Sequence, residues 1–333
     1  MRDTTPTGIE TAVMDSTALP AEQDLLDLSI VVPVYRSEPI LPALVEAIDQ
    51  QLGNVYRLEL ILVNDNSPDG SWEVARSLAA AHPWVRAFNL RKNVGQHMAI
   101  FAGLRQARGR VIVTMDDDLQ HSPSDIPVLV DALKGGYDVC YGAFQGRKHA
   151  AWKIAGSRFN DRVATWLLQK PPGLYLSPFR AFTRGVLAEV VKFTGPAIYL
   201  DGLILSSTSR ITSKIVGHHA RSEGTSGYSL RKSISLWLKM ATSFSIAPLR
   251  LVSMAGLLVS GAGFLFALLI VAHKLTHPEV AVGWSSLIVT ILIMGGVQLV
   301  ALGAIGEYAG RILLNLTSPC QYSIRESTDD RIP

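Results

Sequence analysis

The sequence predicts an α/β domain with a mostly parallel sheet, followed by a hairpin of two membrane-spanning helices. Short runs rich in β-branched residues alternate with amphipathic segments, and two long uncharged runs lie near the C-terminus. Of the 333 residues, 48% are hydrophobic and 18% are charged, with a formal net charge of +3, which excludes a disordered protein. The two cysteines, Cys140 and Cys320, are too few for a disulfide-stapled scaffold or a zinc ribbon.

Predicted strands and helices alternate through the N-terminal part of the chain. The predicted strands are 28–34, 58–64, 84–90, 111–115 and 137–142, and the predicted helices are 39–51, 70–81, 95–107 and 123–134. This alternation is typical of a parallel sheet with helices on both faces, in which ligands bind at the carboxyl ends of the strands. No Gly-x-Gly-x-x-Gly motif follows the first strand and no Walker motif is present, which excludes the commonest nucleotide-binding folds.

The two uncharged runs predict the membrane hairpin, because each is long enough to cross a bilayer as a helix. They are residues 251–272 and 284–306, joined by the short linker 273–283. Basic residues flank the hairpin, so the positive-inside rule puts both flanks in the cytoplasm and predicts a multi-pass protein of the inner (plasma) membrane. Residues 1–24 are charged and lack an apolar core, which predicts a flexible tail and not a signal peptide; residues 307–333 form a second cytosolic tail.

The strand at 111–115 runs directly into the sequence Asp116-Asp117-Asp118-Leu119-Gln120. In extended backbone Asp116 and Asp118 point to the same face, and two neighbouring carboxylates repel each other. A divalent cation removes that repulsion, and oxygen ligands suit Mg²⁺ or Mn²⁺, which take further ligands from substrate phosphates. The alternative is a solvated acidic turn, because aspartate is common in turns.

Two other strand ends carry residues suited to a nucleotide. Asp65 ends the second strand and can accept a hydrogen bond from an N–H group of uracil or guanine; the alternative is an Asx turn. Arg91 and Lys92 end the third strand next to a predicted helix N-terminus, and this combination attracts a diphosphate.

Several motifs occur in a fixed order: VNDNSPDG (63–70), LRKNVGQHMAI (90–100), DDDLQHSP (116–123), HHARSEGTSGYS (218–229) and GEYAGRI (306–312). This set resembles the membrane-bound polyprenyl-phosphate glycosyltransferases of glycosyltransferase family 2, over about residues 28–325. The resemblance implies the Rossmann-like GT-A fold, Mg²⁺ or Mn²⁺, a polyprenyl phosphate acceptor and a nucleotide-sugar donor, for which a UDP-linked sugar is favoured.

The resemblance also implies roles for individual residues. The residues expected to hold the metal are Asp116, Asp118 and Gln120. The residues expected to bind the donor, and in the last three cases also the phosphate of the acceptor, are Pro33, Tyr35, Asp65, Lys92, Asp116, Asp117, Arg221, Ser226 and Lys232. The expected catalytic residues are Asp116, Asp118, Asp201 and Arg221.

Two departures from the family pattern bear on the mechanism. Ser37 precedes Glu38, which moves an acid of the family by one position. Leu174 occupies the position of an acidic residue in arabinose-transferring relatives, so a common candidate for the catalytic base is absent. A phosphate monoester is largely a dianion near neutral pH and needs no base, so Leu174 favours a lipid phosphate over a sugar hydroxyl as acceptor. Asp201 is the nearest acid that could substitute, and helix N-terminal capping is its alternative role.

Basic residues accumulate before the first uncharged run. Residues 210–250 contain seven Lys and Arg and one acid, together with a Gly- and Ser-rich segment that we predict to be a mobile phosphate-gripping loop. We predict an α/β domain at 25–228, an interfacial amphipathic helix within it at 151–170, and a juxtamembrane amphipathic helix at 229–250. An ordinary core-facing helix is the alternative for 151–170.

The predicted function is inverting transfer of a sugar from a nucleotide sugar to a polyprenyl phosphate at the cytoplasmic face of the membrane. Anionic membrane lipids are expected partners and nucleic acid is not; relatives suggest a homo-oligomer, by analogy a tetramer. One alternative is a processive polysaccharide synthase, although its Gln-x-x-Arg-Trp motif is not found in the sequence. The other is a binding subunit that kept the fold and lost turnover.

Overall fold

The structure is a computed structural model in which residues 25–144, 171, 173–195, 198–217, 247–276, 283–317 and 322–329 are described. The strands are β1 Leu26–Val34, β2 Leu58–Asn64, β3 Val85–Leu90, β4 Gly109–Thr114, β5 Val139–Phe144, β6 Arg180–Thr183, β7 Ile211–Val216 and β8 Ile324–Ser327. The helices are α1 Leu41–Leu52, α2 Ser71–Ala81, α3 Gln96–Leu104, α4 Ile126–Lys134, α5 Arg184–Val190, α6 Leu200–Ser207, α7 Ala247–Thr276 and α8 Trp284–Thr317.

The strands form one mostly parallel sheet, as predicted, in the order β7-β5-β6-β4-β1-β2-β3-β8. β1 pairs in parallel with β2 and β4, and β2 pairs in parallel with β3. All the strands and helices predicted for the N-terminal part are present, with ends that differ by up to a few residues. The unpredicted strand β6 lies antiparallel between β4 and β5. It has four residues and begins with an arginine, so it carries no periodic apolar signal.

Helices cover both faces of the sheet. α1, α2 and α4 pack on one face, and α3, α5 and α6 pack on the other. α3 lies very close to the strands beneath it: a Cβ atom on Gly103 would come within 2.5 Å of Cγ1 of Val31 and 2.9 Å of Cγ2 of Val63. Glycine at this position therefore lets the helix approach the sheet and fixes its N-terminus beside the strand ends.

The residues after α8 return to the sheet. β8 pairs antiparallel with β3 at the edge of the sheet, and the indole N–H of Trp72 donates to the carboxylate of Glu326 at 3.0 Å. Asp329 forms ion pairs with both Arg86 and Arg108. The segment predicted as a tail at 307–333 thus contains the end of a long helix and a strand of the sheet.

α7 and α8 contain the two long uncharged runs. Within the described residues, one segment, Ile293–Gly310 of α8, is long and apolar enough to span a membrane, and α7 has a shorter apolar segment at Met254–Phe266. Large apolar side chains on both helices are exposed, for example Leu257 at 75% and Leu299 at 72%. The multi-pass hairpin stays a prediction. The predicted tail at 1–24, the interfacial helix at 151–170 and most of the juxtamembrane helix lie outside the described residues.

Candidate active site

β1 and β4 diverge at their carboxyl ends. The paired part of β4 ends where Thr114 lies opposite Val31, and the next residue, Met115, still donates its N–H to the carbonyl of Val31. β1 continues to Val34 alongside β2. Pro33 lies two residues after Val31, so its ring nitrogen points to the same side of β1, where β4 no longer pairs with it. A proline nitrogen carries no hydrogen, so it leaves no unpaired backbone donor at this position. Neighbouring strands that connect in opposite directions form a switch point, where ligands bind in α/β sheets.

Left-handed backbone conformations mark the loops at this edge. Within the described residues, the non-glycine residues with positive φ are Arg36 (58°), Asn66 (49°) and Leu119 (57°). They follow β1, β2 and β4, respectively, and Gly95 (φ 89°) follows β3. Such conformations are unfavourable for residues with a side chain and cluster at functional sites, so they point independently to the same edge of the sheet.

The three aspartates after β4 have different partners; we call residues 116–120 the acidic turn. The carboxylate of Asp117 accepts hydrogen bonds from the backbone N–H of Tyr35 at 3.3 Å and from the hydroxyl of Ser37. Asp116 accepts from the side-chain amide of Gln96. Asp118 accepts from the backbone N–H of residue 120 at 3.1 Å within the turn. Asp117 therefore braces the turn against the loop after β1, where the sequence departs from the family pattern at Ser37.

Among the described residues, the charges of the acidic turn are only partly compensated. Burial raises the pKa of Asp116 to about 7, and the negative charges of Asp118 and Asp117 add to the effect, as predicted from the repulsion of neighbouring carboxylates. Burial also raises the pKa of Asp117. The described residues contain no group of three or more His, Cys, Asp or Glu that could hold a metal by themselves. Two carboxylates suit Mg²⁺ or Mn²⁺, provided that water and substrate phosphates complete the coordination.

Asp65 holds the loop that precedes α3. Its carboxylate accepts hydrogen bonds from the backbone N–H groups of Val94 at 2.7 Å and Gly95 at 2.8 Å. The Asx turn considered for Asp65 belongs instead to Asp69, which accepts from Ser67 and Ser71. Each oxygen of Asp65 keeps a second lone pair, so a contact with a nucleobase stays a prediction.

A group of buried and half-buried polar side chains lies next to the acidic turn. We call Tyr141, Arg180, Tyr199, Asp201 and His97 the polar cluster. Arg180 is almost fully buried, pairs with Asp201, and donates from Nε to Oγ1 of Thr114 at 3.1 Å. Its positive charge lowers the pKa of Asp116 and partly offsets the effect of burial.

Asp201 does not cap a helix. It lies in the first turn of α6, where Tyr199 is the N-cap residue and accepts no side-chain capping bond. The carboxylate of Asp201 instead pairs with Arg180 and accepts from the hydroxyl of Tyr141 at 3.0 Å. The capping alternative is therefore wrong, because the buried guanidinium forms a charge-assisted hydrogen bond with the carboxylate, which is stronger than a bond to a neutral backbone amide.

The remaining positions singled out in the sequence are buried in the core, exposed in a loop or outside the described residues. Leu174 is buried in the apolar layer with α3, α5 and α6, so no carboxylate reaches the site from that position. Lys92 is exposed in the loop between β3 and α3. The residues predicted to grip phosphates, which the structure does not describe, are Arg221, Ser226 and Lys232. Arg180 was missed from the sequence, although an arginine inside the apolar run SPFRAF was a usable signal.

The chain is similar to several known proteins. The family described as "Glycosyl transferase family 2" matches residues 29–190. The undecaprenyl-phosphate 4-deoxy-4-formamido-L-arabinose transferase of Aeromonas hydrophila subsp. hydrophila is 35% identical over 315 residues, 91% of this chain and 94% of that one. The protein of the same name from Photorhabdus laumondii subsp. laumondii is 34% identical over 316 residues, 92% and 96% of the two chains. The crystal structure of glucosyl-3-phosphoglycerate synthase from Mycobacterium tuberculosis with Mn²⁺, UDP and phosphoglyceric acid has 17% identity and a TM-score of 0.49, over 65% of this chain and 76% of that chain.

Proposed function

Because the chain belongs to glycosyl transferase family 2, we propose that it transfers a sugar from a UDP-linked donor to undecaprenyl phosphate, with inversion at the anomeric carbon. The acceptor is proposed from the names of relatives that match 91% and 92% of the chain. The observation that carries the proposal is the acidic turn at the switch point between β1 and β4, where the described residues compensate the charges of three half-buried carboxylates only in part.

The donor is proposed to lie across the carboxyl ends of the parallel strands. The side chain of Tyr35 is 45% exposed and offers its ring to the nucleobase, beside Pro33 and Asp65. Lys92 attracts the diphosphate. The residues that would hold Mg²⁺ or Mn²⁺ are Asp116, Asp118 and Gln120. The bound ion would supply positive charge to the departing nucleotide diphosphate.

A phosphate oxygen of the lipid is the proposed nucleophile. It bonds to the anomeric carbon as the carbon–oxygen bond to UDP breaks, so UDP leaves with the electron pair. This oxygen needs no base, because a phosphate monoester is largely ionised near neutral pH. Leu174 is buried and apolar, and Asp201 is paired with Arg180, so neither is suited to remove a proton from a sugar hydroxyl. We propose that Arg221, Ser226 and Lys232 bind the phosphates of donor and acceptor.

The membrane helices would bring the lipid to the site. α7 and α8 expose large apolar side chains, which favours a spanning hairpin with the site on the cytoplasmic side of the inner membrane. The segments 151–170 and 229–250 are proposed to lie on the surface of the membrane and to bind anionic lipids. A tetramer is proposed by analogy alone.

The test is an assay of the purified full-length protein with undecaprenyl phosphate, Mn²⁺ and a panel of UDP-sugars. One UDP released per lipid glycosylated is the expected result. Polymer would favour a polysaccharide synthase, and no release with any donor would favour a binding subunit without turnover.

Two variants test the metal assignment in the same assay. Asp118→Ala is expected to abolish Mn²⁺-dependent transfer. The matched control is Asp131→Ala, since Asp131 is an exposed aspartate that pairs only weakly with Lys134. Unchanged transfer by Asp118→Ala would refute the metal assignment and leave the transferase proposal standing.

A further inference from the structure

The polar cluster lies on the opposite side of the acidic turn from the residues proposed to bind the nucleotide. Tyr35 and Asp65 follow β1 and β2, whereas Tyr141 and Arg180 belong to β5 and β6. In the sheet, β4 separates these two groups of strands, and the acidic turn directly follows β4. The order along the carboxyl edge is therefore nucleotide side, acidic turn, polar cluster.

His97 connects the acidic turn to the polar cluster. It lies in the first turn of α3, directly after Gln96, whose side-chain amide bonds to the acidic turn. Its ring meets the ring of Tyr199 edge to face, with the centroids 5.4 Å apart, and it lies within electrostatic range of Asp201 and Arg180.

One nitrogen of His97 has no hydrogen-bond partner among the described residues. Nδ1 is buried and makes no hydrogen bond to any part of the chain that the structure describes. Buried polar atoms in folded proteins nearly always make a hydrogen bond, because burial removes their hydrogen bonds to water and an unpaired atom gets no interaction in return. The atom therefore needs a partner that is not among the described residues.

We propose that His97 hydrogen-bonds the sugar moiety of the nucleotide-sugar donor, and that Tyr199 and the Arg180–Asp201 pair hold its ring in position. The inference rests on the proposed function, because it takes the donor to be a nucleotide sugar. It adds a residue that determines which sugar is accepted.

The shape of a nucleotide sugar supports this assignment. Base, diphosphate and sugar are joined in that order, so a base near Tyr35 and a diphosphate at the acidic turn leave the polar cluster as the neighbouring position for the sugar. Burial lowers the pKa of His97, which keeps the ring neutral, with one nitrogen donating and the other accepting. A neutral imidazole matches a hydroxyl or an amide substituent, and a site built around such a hydrogen bond rejects sugars that lack the group.

The test compares binding of UDP with binding of UDP-sugars by isothermal titration calorimetry, using the full-length protein with Mn²⁺. The probes are UDP, UDP-glucose, UDP-N-acetylglucosamine and UDP-4-deoxy-4-formamido-L-arabinose. His97→Phe keeps a ring against Tyr199 and removes both nitrogens, and His97→Asn restores a polar atom near the position of Nδ1. His82→Phe is the matched control. The ring of His82 also meets an aromatic ring edge to face, that of Trp84, but it lies at the C-terminal end of α2.

The expected result is that His97→Phe weakens binding of the preferred UDP-sugar about three- to tenfold and leaves UDP binding unchanged, as for loss of one hydrogen bond. His97→Asn should recover part of the loss, and His82→Phe should bind like the unaltered protein. An equal loss for UDP and UDP-sugar, or no loss, would overturn the role of His97, since a water or a purely structural contact would not distinguish the two ligands. Failure of the unaltered protein to bind any UDP compound would instead refute the proposed function, and this inference with it.

Discussion

Replacing Asp201 with alanine removes one partner of an ion pair that is shielded from water. The side chains of Arg180 and Asp201 are 1% and 11% exposed, so the guanidinium would stay buried without its carboxylate. Breaking such a pair from one side destabilises a protein by about 3–5 kcal/mol. The variant also loses the 3.0 Å hydrogen bond from Tyr141. For a domain of this size, the loss corresponds to a fall in melting temperature of about 6–20 °C.

The assay is thermal unfolding of the detergent-purified protein, followed by tryptophan fluorescence at one fixed scan rate. Asp131→Ala is the control, because the Asp131–Lys134 pair has side chains that are 65% and 69% exposed and contributes at most about 1 kcal/mol. Asp201→Asn should lie between the two, since it keeps the shape and loses the charge. A melting temperature for Asp201→Ala equal to that of Asp131→Ala would refute the claim that this pair stabilises the domain.

Three further predictions use the same preparation. Gly103→Ala should lower the melting temperature by about 2–12 °C through overpacking against β1 and β2, whereas Gly185→Ala, whose Cβ would meet nothing closer than 3.8 Å, should not; equal values would contradict the packing argument. Cys140 should resist alkylation at pH 8 in a Cys320→Ser background until the protein unfolds, because burial raises the pKa of its thiol to about 11; rapid labelling measured by mass spectrometry would contradict this. Without metal, Asp116→Asn should gain melting temperature relative to the unaltered protein as the pH rises from 5 to 8. The pKa of Asp116 is about 7 in the folded state and about 4 in the unfolded state, so the folded state binds the proton more tightly. The stability that this proton contributes to the unaltered protein is lost as the pH rises through 7, whereas Asp116→Asn has no such proton to lose. A difference in melting temperature between the two proteins that does not change with pH would refute the assignment.

Most of the sheet was predictable because its central strands are continuous apolar runs. β1 and β2 are buried along almost their whole length, and such strands contrast sharply with the turns around them. β7 and β8 were missed for the opposite reason. β7 has one buried residue among six and lies at one edge, and β8 has four residues, two of them charged, at the other. An edge strand is stabilised mainly by pairing with the neighbouring strand of the sheet, and the periodicity of its own sequence does not show that pairing.

The candidate site could be proposed from the sequence where it rests on adjacent residues and not where it rests on distant ones. Asp116 and Asp118 could be proposed as metal ligands because their spacing and position after a strand appear in the sequence itself. The partnership of Arg180 with Asp201 could not, because 21 residues separate them and the capping role of an aspartate near a helix start was an equally good local interpretation. A local sequence pattern can be compatible with several roles for a residue, and only the tertiary contacts determine which role it has.

The position of β8 has a consequence for biosynthesis. This strand follows both long helices in the chain, yet it completes the edge of a sheet whose other strands all precede them. During translation, β3 therefore remains an open edge, with unpaired backbone groups, until the ribosome has made both hydrophobic helices. Slow synthesis of those helices would leave a nearly complete domain exposed to edge-to-edge aggregation.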